Sequence, residues 1–346
     1  MSSNSRLRVL LTNDDGPPGR DSPYIYGLYR HLTKELGWDV RVVVPSSQKS
    51  WIGKAYQITE TIYGRYYYPR DPDGAGEVSE VSRALKDGEA AEWILLDGTP
   101  ATCANIALHN LYPGEIDLVI SGPNLGRNSS AAFALSSGTI GAALSSSLSK
   151  TRSIAISYGT VEHPTPLTYF EPAHAIGGRI IRYLWDNWGT DEGSIRDNEV
   201  DLYNVNIPMI AGLLEEPGLP ICWTRIWRNS YGRLFKRFEG AKPKPATSPA
   251  GPDSLDSNSQ GVLETPAPAS SGSAPSGLTF KFSPSMDGLI RPDMASLPVG
   301  SDGWAIAKGW ISVTPLRASF AEPGQALDNA AAAPADIEES IWKFKL

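Results

Sequence analysis

Hydrophobic residues in this chain form short dense runs, separated by stretches in which they recur every three or four positions. "LRVLLT" at 7–12 and "DVRVVVP" at 39–45 are nearly continuous apolar runs, the pattern of strands buried on both faces. Between them, "SPYIYGLYRHLTKEL" at 22–36 has helical spacing. Ser22 is placed to cap it, Pro23 stands at the first helical position and Gly37 lies just past its end. This strand–helix–strand unit predicts a parallel sheet covered on both sides. The theme then repeats. A strand closes near Asp97, and a helix opens at Thr99 and Pro100 and runs to 111. A strand follows at 115–122. A helix over 137–150 carries Ile140, Leu144 and Leu148 on one stripe. The series ends with a strand at 152–158, an amphipathic helix over 171–188 and a strand at 200–208.

Elsewhere the pattern loosens. Residues 56–68 have β-rich composition and suggest an excursion hairpin, while 70–90 are polar and predict a loop. After 208 only short β-like pieces remain ("ICWTRIW", "GRLFKRF", "GLTFKF" and "GWISVTPL"), predicting hairpins beside the sheet. Residues 240–277 are rich in Pro, Ser, Ala and Gly with almost no large apolar side chain. Such a stretch cannot bury enough surface to offset its ordering entropy, and it is expected to be a disordered insertion. Residues 321–346 form an Ala-rich tail.

Composition narrows the function classes. The 346 residues suit one large domain, or one domain with an appendage. A net charge of -7 disfavours a nucleic-acid backbone as partner, though not a small phosphorylated substrate. Two cysteines, Cys103 and Cys222, form neither a zinc pattern nor a disulfide framework. There is no run of 18 apolar residues and no signal-peptide core, so no membrane partner is expected and the cytoplasm is the default location.

Ligands of doubly wound sheets bind where strands end, and four loops qualify. In the first, "NDDG" at 13–16, adjacent carboxylates at Asp14 and Asp15 would repel unless a cation sits by them; a plain turn is the alternative. The second, "PSSQKSWIGKA" at 45–55, offers the Ser50 hydroxyl to a metal or phosphate, or is solvated surface. In the third, "SGPNLGRNSS" at 121–130, Gly122 and Gly126 permit close backbone approach. Asn124 and Asn128 add amides without charge, and a simple Gly/Asn turn is again the alternative. The fourth, "SSGTIGAA" at 136–143, puts Ser137, Gly138 and Thr139 at a helix start, either as an anion site or as an ordinary cap. No GxGxxG fingerprint occurs, which argues against a dinucleotide-dependent oxidoreductase. His31 and His109 fall in helices and read as exposed residues rather than bases; His163 and His174 lie in or after the 159–170 segment, with a leaving-group acid as the lesser alternative to no role.

In their order and spacing these loops resemble the SurE family of survival proteins, which are metal-dependent 5′/3′-nucleotidases. The matching pieces are "RVLLTNDDG" (8–16), "VVVPSSQKS" (42–50), "DGTPATCANIAL" (97–108), "DLVISGPNLGRN" (117–128), "SGTIGAAL" (137–144), "NVNIP" (204–208) and "GWISVTPL" (309–316). The resemblance implies a single α/β domain over 1–346, a three-layer sandwich with a Rossmann-like, mostly parallel sheet and protruding β-hairpins. It implies a homodimer or homotetramer. It places a divalent metal ion, Mg²⁺ or Mn²⁺, on Asp14, Asp15, Ser50 and Asn124, with Asp14 or Asp15 as catalytic base. Asn13, Asn128, Ser137, Gly138 and Thr139 would contact substrate phosphate. The implied activity is hydrolysis of phosphate monoesters, chiefly nucleoside 5′- or 3′-monophosphates. A non-catalytic nucleotide- or metabolite-binding protein on the same fold is the alternative. Pro123, the "SSQK" before Ser50, the 159–170 segment and the low-complexity insertion depart from the family pattern and resemble fungal members, some of them acid phosphatases.

Overall fold

The computed structural model of the protein describes residues 6–161, 164–237, 278–284 and 292–320. The insertion at 240–277 and the tail at 321–346 lie outside the described residues.

The first buried run forms β1 (Arg8–Thr12), and it organises everything else. Its side chains alternate between two cores. Val9 and Leu11 join the larger one and Leu10 the other. Burial on both faces explains the absence of polar alternation in the sequence. β1 is followed by α1 (Ile25–Arg30), which continues as wider π-type turns to Glu35, and by β2 (Asp39–Pro45). Gly37 ends that helix at φ +67°, as its position predicts. Ser22 does not cap it. The cap position is Tyr24, without a side-chain bond, and the Ser22 hydroxyl instead accepts from Asn13 Nδ2 at 2.9 Å.

β3 (Gly64–Pro69) and β4 (Gly76–Ser79) make the excursion hairpin, later in the chain than 56–68. β4 falls within the expected loop because its residues are largely exposed and carry no apolar alternation. β5 (Trp93–Leu96) then leads to α2 (Pro100–Ile106), with Pro100 at the first position and Thr99 Oγ1 accepting from Thr102 N at 3.1 Å. β6 (Leu118–Leu125) runs three residues further than the expected 115–122 and takes in Pro123 and Asn124. α3 (Ala131–Ser136) is a short helix the sequence pattern did not mark. α4 (Gly138–Leu148), β7 (Arg152–Thr160), α5 (Phe170–Asp186) and β8 (Leu202–Met209) follow their predicted spans closely.

The short late pieces divide. β9 (Ile221–Trp223) and β12 (Ile311–Leu316) join the main sheet instead of lying beside it. β10 (Phe235–Arg237) and β11 (Phe280–Phe282) form a separate antiparallel pair. α6 (Asp302–Ala307) precedes β12.

The ten-stranded sheet has the order β4-β3-β5-β2-β1-β6-β7-β8-β12-β9. From β5 to β8 all neighbours are parallel. β3 and β12 run antiparallel at the flanks of that block. α1 and α5 cover one face through Ile25, Leu28, Ile176 and Ile180. α2, the π-type turns that continue it to Leu111, and α4 cover the other through Cys103, Leu108, Ile140 and Ala143. The protein is thus an α/β sandwich of three layers. Among the described residues no helix is long and apolar enough to cross a membrane.

The order reverses at β1. The chain leaves it toward β2, then returns to place β6 on its other side, so the carboxyl ends of β1 and β6 face a common crevice. There the β6–β7 register shifts between Ser121 and Asn124. Gly122 lies at the shift with φ +124°, and a Cβ there would stand 2.1 Å from the Ile156 carbonyl oxygen. Only glycine fits. Gly122→Ala is therefore expected to lower stability by roughly 2–4 kcal/mol in urea unfolding. A change within ~0.5 kcal/mol would show that the irregularity at β6 does not depend on the missing side chain.

Candidate functional site

The loop leaving β1 is shaped by its own first residue. Asn13 Oδ1 accepts from Gly16 N at 3.0 Å, while its Nδ2 donates to Gly16 O at 2.8 Å and Ser22 Oγ at 2.9 Å. Both donors of that amide are consumed, so Asn13 turns the loop and has none left for a ligand. The turn directs Asp14 and Asp15 inward, each 3% exposed.

Two adjacent carboxylates in such surroundings carry an electrostatic cost. Burial raises the pKa of both above the usual aspartate range, and at Asp15 the charge of Asp14 adds to the effect. The opposing influences are hydrogen bonds from neutral donors. Thr139 Oγ1 donates to Asp14 Oδ1 at 2.6 Å. Leu125 N donates to Asp15 Oδ2 at 2.7 Å, and Gln48 Nε2 reaches its Oδ1 at 3.4 Å. No lysine or arginine is among the main influences on either group.

Asp14, Ser50, Asn124, Asn128 and Ser137 line one cavity of about 20 Å³, together with Trp51, Arg127 and Phe133. That volume suits an ion or a single water. The four predicted loops therefore meet at one point. Asn124 Nδ2 donates to Gly126 O at 2.8 Å, which fixes the amide and leaves its oxygen as the group to offer. Ser137 Oγ caps α4 by accepting from Ile140 N at 3.1 Å and keeps its own O–H to donate. Asp15 does not line the cavity; its carboxylate is held against the β6 backbone. Gly138 makes the contact between α4 and Asp14, since a Cβ there would lie 2.7 Å from Asp14 Cβ. Thr139 bonds Asp14 directly rather than lining the cavity. Among the described residues no group of three or more His, Cys, Asp and Glu could hold a metal, so any cation here would rely on neutral oxygens as well.

Behind the cavity stands a polar network that fixes Asn128. Asn206 Oδ1 accepts from Asn128 N at 2.7 Å, and Asn204 Nδ2 donates to Asn128 O at 2.9 Å. Asn128 Nδ2 in turn donates to Ser157 Oγ at 2.8 Å and to Thr139 Oγ1 at 3.3 Å. Thr139 passes this order on to Asp14. A second clamp is Asp302, whose carboxylate accepts from Ser130 N, Trp227 N and Gly303 N at 2.7, 2.8 and 2.7 Å. Burial still pushes its carboxyl up to about 6. The clamp ties the segment at 225–231 to the loop before α3.

His163 lies outside the described residues, and the other histidines are away from the cavity. His174 is buried beside Tyr158, where burial lowers its pKa to about 3, and His109 is exposed on a helix end. His31 is partly buried and packs where a Cβ at Gly178 would meet its ring.

A sequence profile for the family described as Survival protein SurE matches residues 9–233. That span includes every residue around the cavity. The chain belongs to the SurE family. Among individual SurE relatives, the 5′-nucleotidase SurE of Archaeoglobus fulgidus is 32% identical over 65% of this chain and 74% of its own length. A Saccharomyces cerevisiae protein named as a probable tubulin–tyrosine ligase is 33% identical over 91% of this chain, which spans only 41% of that protein's length. The crystal structure of the SurE protein from Aquifex aeolicus shares the fold, with a TM-score of 0.57 over 96% of this chain and 99% of that one, at 22% identity. The SurE relatives named as 5′-nucleotidases place the chain, at family level, among phosphoric monoester hydrolases.

The residues that support the site of this SurE chain differ in how legible they are in the sequence. Asn204 and Asn206 left a readable signal: two amides at i and i+2 point to one face of an otherwise apolar strand. Asp302 and Gln48 left none, because their partners are 172 and 33 residues away. Asn206→Ala would strand the buried Asn128 N–H, and is expected to cost about 1–3 kcal/mol in chemical unfolding. An unchanged midpoint would show that Asn206 does not hold the loop.

Proposed function

We propose that this chain is a divalent-metal-dependent phosphatase acting on phosphate monoesters, with nucleoside 5′- or 3′-monophosphates as the principal class. The observation that carries the reading is the pair Asp14–Asp15, buried side by side against neutral donors. Buried charges are paired or coordinate metals. The donor set fits a hard cation, being two carboxylates with a hydroxyl and an amide oxygen, all oxygen. Asp14, Asp15, Ser50 and Asn124 would hold it, and Mg²⁺ or Mn²⁺ suits such ligands. When bound, it supplies positive charge against a phosphoryl oxygen and acidifies water.

The protein's own residues do the rest. Ser50 and Asn124 add no charge, so two carboxylates only balance a divalent ion and an anionic substrate is not repelled. Arg127 brings a cation to the cavity wall. The Ser137 hydroxyl, at the start of α4, donates toward the phosphate. Asp14, which faces the cavity, orients the attacking water by accepting its proton through Oδ2, the oxygen Thr139 does not occupy. Asp15 stands behind the lining residues, anchored to β6 through Oδ2, and would serve the cation only through Oδ1, which Gln48 Nε2 approaches no closer than 3.4 Å. Asn128 keeps Thr139 and the loop in register, since its amide donors are already engaged.

Phosphate release from a panel of nucleoside monophosphates, after EDTA treatment and with Mg²⁺, Mn²⁺ or nothing added back, tests the reading. Metal-restored turnover that falls roughly 100-fold or more in Asp14→Asn is the expected result. Turnover insensitive to EDTA, or near wild type in that variant, would contradict it. An absence of release with every metal would favour a binding protein.

A further inference from the structure

The cavity beside Asp14 has an apolar wall that phosphate chemistry does not require. Trp51 and Phe133 line it together with the polar groups of Asn124, Asn128 and Ser137. Phe133 is buried and Trp51 partly so. The wall is built up from behind. Trp51 meets Phe133 at 6.1 Å between ring centroids, Tyr231 at 5.7 Å and Phe282 at 5.3 Å, with interplanar angles of 82°, 40° and 65°. None is a parallel stack, which leaves that arrangement to a ligand ring. The Tyr231 hydroxyl bonds the Ala132 carbonyl and Ser136 Oγ, fixing it to α3.

The placement of Trp51 is held from both sides. Lys49 N donates to Asp14 O at 2.7 Å, and Gly53 N donates to Ser136 O at 2.8 Å. Between these ties Trp51 adopts φ +61°, a conformation that bulky side chains rarely take. The loop thus keeps a strained backbone that presents an indole next to the acidic pair. A tryptophan needed only for packing would not call for that conformation.

We propose that the Trp51–Phe133 wall receives the planar aromatic part of the substrate's alcohol, a nucleobase or aryl ring, and that Trp51 is a specificity-determining residue. This rests on the phosphatase reading above. The cavity of about 20 Å³ is open to solvent on one side and has room for little beyond an ion or water. The phosphate and its leaving group therefore extend out of it, along a lining that includes the indole. Aromatic stacking is tolerant of ring identity, so the wall selects aromatic over aliphatic esters more strongly than one base over another.

The test compares kcat/KM for phenyl phosphate with that for glycerol 1-phosphate, with Mn²⁺ present, in wild type, Trp51→Phe and Trp51→Ala. The aryl-to-alkyl ratio should fall roughly tenfold in Trp51→Ala, within the range base–aromatic stacking is worth, and be largely kept in Trp51→Phe. Trp51→Leu, which keeps apolar bulk, should show the same fall and serves if the alanine variant does not fold. A parallel decline for both esters, or an unchanged ratio, would overturn the inference while leaving the phosphatase reading intact. Release of phosphate from nucleoside monophosphates but not from phenyl phosphate would overturn the inference alone, and no release from any of these esters by the wild type would overturn that reading and this inference with it.

Discussion

The burial of two adjacent carboxylates at the end of a central strand is the constraint on which the rest of this structure depends. Burial raises the electrostatic cost of both Asp14 and Asp15, and at Asp15 the charge of Asp14 adds to it. Much of the surrounding architecture can be understood as holding them in place regardless. Asn13 closes the loop beneath them, Leu125 N and Thr139 Oγ1 supply hydrogen bonds, and Gly138 lets a helix start come within contact of Asp14. Fixed repulsive charges of this kind are useful when a positive partner completes them. The strand order explains why they can be fixed so well. β1 sits where the sheet reverses direction, so loops from both halves converge on its end.

A second layer of order lies further back. Asn204 and Asn206 grip the backbone of Asn128 from the middle of β8, and Asn128 passes that constraint through Thr139 to Asp14. The chain of bonds ties the site's geometry to the rigid centre of the fold, although Asn204 Oδ1 and Asn206 Nδ2 are themselves buried without a hydrogen-bond partner. Asp302 does the same for the segment carrying Tyr231, and hence for the aromatic side of the cavity.

Much of this was legible in the sequence where burial and periodicity speak alone. The parallel core was readable because strands such as 39–45 are apolar without alternation, and Thr99-Pro100 announced a helix start that the structure has. Ser22 misled, because a cap residue is equally good as a hydrogen-bond acceptor for a distant loop. The hairpin β3–β4 was displaced because its second strand is exposed and lacks a periodic signature. The loops of the site could be picked out one by one from their turn-forming residues and strand-end positions. Their convergence is a matter of strand order, which local pattern does not encode. Nothing local marks Trp51 for a related reason: its neighbours Phe133, Tyr231 and Phe282 lie between 82 and 231 residues further along the chain.

The central claim is that Asp14 and Asp15 form a cation site, and direct binding tests it without recourse to activity. Mn²⁺ would be titrated into metal-free protein at neutral pH and the free ion followed by electron paramagnetic resonance, for wild type and Asp15→Asn. The account predicts one saturable site per chain in the wild type and an affinity loss of at least ~100-fold in the variant, beyond what removing an outer partner costs. Equal binding by the two proteins, or no binding by the wild type, would contradict it.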